Sequence, residues 1–136
     1  MNLSVNVKIT KVKAHTAATT GTITGDEIDM SGYEGVVFLT NFGTANAGNY
    51  IKAQQDTVTG MATAADLEGT KVVALVGGGM IGIDLYKPLE RFVRCIGIIG
   101  TSSTLETIWA IQYAGTKCPI TNTTIELHVS PAEGTA

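Results

Sequence analysis

The chain has 136 residues, of which 44% are apolar and only 15% charged, with a formal net charge of −3. That length fits one domain, expected over residues 1–130 with a flexible tail at 131–136, and suffices for a core without metal or disulfide staples. The basic residues are scattered, which excludes the clustered footprint of a nucleic-acid binder.

Ordinary soluble domains carry roughly 25% charged residues, so this surface is weakly solvated and suits a chain that lives against other subunits. Lys8, Lys11 and Lys13 are the nearest approach to a basic patch and read as a guarded strand edge. The two cysteines, Cys95 in an apolar stretch and Cys118 before Pro119, match no disulfide framework or zinc spacing, so reduced, cytosolic synthesis is expected. No signal-peptide pattern opens the chain, and the apolar run 72–83 is too short for a bilayer, so no membrane partner is expected.

In chain order, Val5, Val7 and Ile9 alternate with polar residues and predict a first strand over residues 2–13. Residues 15–20 are small and polar and read as a loop; a Gly-Asp turn follows between Ile23 and Ile28. Residues 34–41 form a strand apolar on both faces, Val36 and Phe38 against Val37 and Leu39. The Gly- and Asn-rich stretch 42–49 predicts a loop. A short strand spans 50–55, residues 62–67 make the one plausible helical turn, and 71–76 is a strand closed by Gly77-Gly78-Gly79.

Residues 80–100 then read as two strands meeting at a corner. Ile81, Ile83 and Leu85 share one face; Pro88 interrupts regular pairing. In the second strand, 91–99, Val93, Cys95 and Ile99 oppose Phe92, Arg94, Ile96 and Ile98. Both faces are apolar, which requires burial on both sides by fold or by partner. Leu105, Thr107, Trp109, Ile111 and Tyr113 share the next strand's apolar face, where core packing is expected. A last strand is expected over 123–129. The sum is an all-β, antiparallel β-sandwich, jelly-roll-like, with about eight or nine short strands and at most one helical turn.

Chemistry is sparse. His15 and His128 have no Cys, Asp or Glu at metal-ligand spacing and read as exposed and inert. Gly77-Gly78-Gly79 lacks the Gly-Lys-Ser/Thr of a phosphate loop. Asp26, Glu27 and Asp29 match no complete calcium loop. Asp84 and Arg94 are placed to pair across a hairpin. No catalytic, cofactor or metal residues are expected, and no enzyme.

The succession Tyr33-Glu34-Gly35-Val36-Val37-Phe38, Ala65-Asp66-Leu67-Glu68-Gly69-Thr70 and Ile83-Asp84-Leu85-Tyr86-Lys87-Pro88-Leu89-Glu90-Arg91-Phe92-Val93-Arg94 resembles small proteins of tailed bacteriophages and gene-transfer particles. These are the head decoration (cement) proteins and the base proteins of head spikes. The resemblance covers residues 32–119. It implies a β-sandwich on the capsid exterior of a virion, made in a bacterial cytoplasm, with the major capsid protein and copies of itself as partners, as trimer or pentamer. Contacts are then expected from Asn2 and Leu3, from Phe42 and Asn46 in the loop, and from the second face of the 91–99 strand, Phe92, Ile96 and Ile98. Two other readings compete: a tail, neck or other minor virion protein, and a cellular β-sandwich that binds carbohydrate.

Overall fold

The computed structural model describes residues 2–122, 124–130 and 132–133. After a single helical turn, α1 (Leu3–Asn6), come ten strands: β1 (Lys8–Lys13), β2 (Thr16–Thr24), β3 (Ile28–Asp29), β4 (Tyr33–Thr40), β5 (Asn49–Asp56), β6 (Ala65–Asp66), β7 (Val72–Val73), β8 (Ile81–Tyr86), β9 (Phe92–Leu105) and β10 (Ile108–Gly115). They pair antiparallel in two sheets. One has the order β1-β10-β4-β8; the other runs β2-β9-β5-β6, with β3 paired to β9 and β7 to β5. Apart from the short β2–β3 and β5–β6–β7 links, each connection crosses between sheets, and the first strand lies beside the last. This is jelly-roll topology, in which two sheets bury one shared apolar layer.

That layer follows the period-2 patterns. Val36 and Phe38 of β4, Ile81, Ile83 and Leu85 of β8, and Val93, Cys95 and Ile99 of β9 all join the core, with Ile51, Ala53, Phe42, Leu105, Ile108 and Ala110. Burying each large side chain contributes about 1.5–3 kcal/mol. Burial also pushes the Cys95 thiol up to about 12, so it behaves as a small apolar residue.

Several expected elements differ. Residues 3–6 form α1 instead of opening the first strand; the Asn6 amide donates to Asn2 O at 2.6 Å, a local bond that competes with strand pairing. Residues 16–20 belong to β2, an edge strand whose residues are mostly exposed. An edge needs no apolar alternation, and threonine suits extended backbone. The expected helical turn at 62–67 is a turn leading into β6. The Asp56 carboxylate accepts from Thr63 N at 2.9 Å and from Val58 N at 3.2 Å, and Leu67 N donates to Ala53 O. Those bonds outweigh one isolated helical turn, which is costly to nucleate. The 71–76 strand shrinks to β7. Residue 123 lies outside the described residues, and 124–129 form no strand.

β8 and β9 do not form a hairpin. They sit in different sheets, so Asp84 and Arg94 do not pair: Asp84 accepts from Tyr113, and Arg94 donates to Gln54.

Candidate interface on the outer sheet face

The expected core face of β10 is turned outward. Leu105 ends β9 in one sheet and Ile108 begins β10 in the other, both fully buried. The corner at Glu106 and Thr107 therefore shifts the inward positions from odd to even numbers. Ile108, Ala110 and Gln112 point inward, whereas Trp109 is 44% exposed and Ile111 and Tyr113 are half-buried on the outside. The corner is held by Thr40 Oγ1 donating to Glu106 O and Glu106 N donating to Asn41 O, both at 2.9 Å.

Strand register assembles the outer face around that row. Trp109 lies between Lys11 and Leu39; Ile111 lies between Ile9 and Val37. Met80 and Tyr86, at 67% and 60% exposure, flank it at the two ends of β8. Tyr113 crosses the sheet: a side chain at Gly35 would overlap its ring, and the vacant space lets its hydroxyl donate to Asp84 Oδ1 at 2.6 Å. Burial and that bond push the Tyr113 phenol up to about 12. Tyr86 donates in the same way to Glu34 at 3.2 Å.

Two open depressions flank the indole. One, of about 570 Å³, is lined by Leu39, Asn41, Met80, Glu106 and Trp109. The other, of about 550 Å³, is lined by Lys8, Lys11, Asn122 and Ile125. His15 Nδ1 lies 3.0 Å from Glu106 Oε2. An apolar sheet face with grooves and a half-exposed tryptophan supplies contact area and an aromatic anchor.

The opposite outer face, on the β2-β9-β5 sheet, is polar. Lys52 Nζ and Gln54 Nε2 donate to Asp66 at 2.6 and 2.7 Å, and Arg94 donates to Gln54 at 2.9 Å. The Lys71 ammonium lies 4.2 Å from the Tyr50 ring centroid. Arg91 grips Asp29 with two bonds, 2.9 and 2.7 Å, and holds its carboxyl at about 2. The Lys52 and Gln54 bonds lower Asp66.

The residues expected at an interface are dispersed. Phe42 is 1% exposed and fills the core. Asn46 is exposed but accepts from Gly48 N, shaping its own loop. Ile96 is 3% exposed between Thr24 and Lys52, and Ile98 is half-buried. Phe92, also half-buried, lies 5.1 Å under the Arg91 guanidinium. The second apolar face of β9 is thus largely covered by its own subunit, partly through aliphatic stems of charged neighbours. Asn2 and Leu3 are exposed at α1.

The pattern of β4, apolar on both faces, carried the signal for the other side. Leu39 and Val37 are the outward half of it. The acidic trio does not converge either, because the Glu27 carboxylate accepts from Gly60 N at 2.7 Å while Asp29 pairs with Arg91. Among the described residues no group of three or more His, Cys, Asp or Glu is placed to hold a metal ion.

No protein-family model matches this chain, and no curated protein matches it.

Proposed function

We propose that the chain is a structural protein of a phage particle, a decoration or spike-base subunit that binds the outer surface of the major capsid shell and stabilises it. The observation that carries this reading is the grooved apolar face around Trp109, Leu39, Ile9 and Ile111 on a rigid jelly roll. The motif resemblance supports it, since Gly35–Phe38 and Ile83–Tyr86 pair directly as β4 and β8 in the same sheet. Such a subunit works by joining several shell proteins at once, so that opening the shell must break many modest contacts together.

The test is cosedimentation with shells assembled from the major capsid protein of the same particle. Saturable binding and a higher temperature of shell disruption are expected. Trp109→Ala should weaken binding by about 30-fold, the effect of losing an anchor worth about 2 kcal/mol. Shells that take up no protein would overturn the reading; recovery on isolated tails would assign it to a tail or neck.

One observation favours a second reading. Trp109 shares its groove with Asn41 and Glu106, so an indole face and two polar side chains meet where a pyranose ring could stack. Trp109 is the only tryptophan. Its fluorescence should shift saturably with xylohexaose, cellohexaose or chitohexaose under this reading, and stay unchanged under the first.

A further inference from the structure

Two features of the molecule complement one another, and among the described residues they do not meet within one subunit. The first is the stretch 125–129, Ile-Glu-Leu-His-Val. It alternates as a strand should, yet it forms none, and Ile125, Leu127 and Val129 are 40%, 46% and 75% exposed. The second is β2. Among the described residues it pairs only with β9, and its other edge is open. Its nine residues, Thr-Ala-Ala-Thr-Thr-Gly-Thr-Ile-Thr, include no charge and no proline, and although the register shifts between Thr16 and Gly21, Gly21–Thr24 pair regularly with β9.

The edge of β1 is treated differently. Ile120 N donates to Val5 O at 2.8 Å. Asn122 donates to Ser4 O and Val7 O and accepts from Ile9 N. One asparagine amide thus occupies backbone groups that a neighbouring strand would otherwise use, and Lys11 and Lys13 guard the rest of that strand. Beyond Asn122 the chain turns onto the outer face of the β1 sheet, where Ile125 shares a groove with Trp109 and Lys11. That direction leads away from β2, which lies in the other sheet across a core about 10 Å thick.

We propose that residues 125–129 add as an edge strand to β2 of a second copy of this chain. Five residues span about 17 Å, within the roughly 30 Å of β2. The alternation selects a register. Ile125, Leu127 and Val129 facing inward continue the core layer beside half-buried Ile23, and Glu126 and His128 then lie outward with exposed Thr22 and Thr24. A slip of one residue would reverse both faces. Main-chain bonds supply the affinity and the apolar row the specificity, as in other strand additions. The inference rests on the copies of itself that the family resemblance implies as partners, and not on what the assembly binds.

The test uses the full chain in sedimentation equilibrium and amide exchange, with Leu127→Pro to disable the donor and Ile23→Lys to charge the acceptor edge. The wild type should sediment as a multimer at tens of micromolar, with β2 amides exchanging at least about tenfold more slowly than in either variant. Each variant alone should be monomeric. Their mixture should associate again, because one supplies an intact edge and the other an intact tail. Leu127 is exposed, so its variant should match the wild-type melting temperature at dilutions where the wild type is monomeric, and fall below it where the wild type associates. Equal mass and equal β2 exchange in wild type and Leu127→Pro would overturn the proposal. So would a mixture that stays monomeric, or β2 protection independent of concentration. A Leu127→Pro monomer that still binds shells would uphold strand addition and leave the structural reading intact. Strand addition with no shell binding would sink only the latter.

Discussion

The outer faces of the two sheets are built from similar strands and have opposite surfaces. On the β2-β9-β5 sheet, Lys52, Gln54, Asp66 and Arg94 form a bonded network over the apolar row of β9. On the β1-β10-β4 sheet, Trp109, Leu39 and Met80 line an open groove whose rim is Thr40, Asn41, Glu106 and Thr107. A strand apolar on both sides thus has two outcomes: its second face is covered by long polar side chains of its own subunit, or it stays open to solvent. Apolar content alone does not separate the two. The cross-strand neighbours do.

This contrast is breakable at named residues, beginning with the largest expected effect. Ile96→Asp places an unpaired charge at a position 3% exposed and should destabilise the fold by about 3 kcal/mol or more in urea unfolding. The same change at half-exposed Trp109 should alter stability far less and, under the proposed function, abolish shell binding. If Ile96→Asp is tolerated, the covered face is not a second core.

Gly35→Ala comes next. The added methyl collides with the Tyr113 ring, so the ring must leave its bond to Asp84. A loss of about 1–3 kcal/mol is expected, the usual range for overpacking. An absorbance titration should show the tyrosine at about 12 falling toward the ordinary value of 10.

The Asp29–Arg91 pair predicts a smaller effect with a definite sign. Its carboxyl is held at about 2 against an ordinary 3.8. The depressed folded value means its contribution is present above pH ~4 and is lost as pH falls toward ~2. Because the Asp29 side chain is 43% exposed, solvent screening holds the contribution below about 1 kcal/mol. Asp29→Asn should flatten that part of the pH–stability curve. Smallest of all, Trp109→Ala should shift monomer stability by only about 0.5 kcal/mol, since the indole lies on an outer sheet face at 44% exposure.

Much of the fold was legible. The alternations in β8 and β9 pointed to the inward residues Ile83, Leu85, Val93 and Cys95, because a buried sheet face demands period 2, whereas β4, apolar on both faces, left its inward side open. The candidate site was legible only in part. Leu39 and Val37 stood out as a second apolar face, but Trp109 was expected in the core and Phe42 at a surface. Leu105 and Trp109 share parity in sequence. The corner at Glu106 and Thr107 breaks that parity, and no local pattern marks which two residues carry a chain from one sheet to the other.

By itself, then, the sequence determined the all-β class, the strand alternation and most of the core, since these follow from side-chain periodicity and turn residues. Tertiary structure decided which apolar faces stay open. That choice depends on neighbours distant in the chain: Lys52 and Thr24 beside Ile96, Gly35 beneath Tyr113, and Asn122 along the edge of β1. Burial is a property of pairs of strands, and a period within one strand cannot specify it.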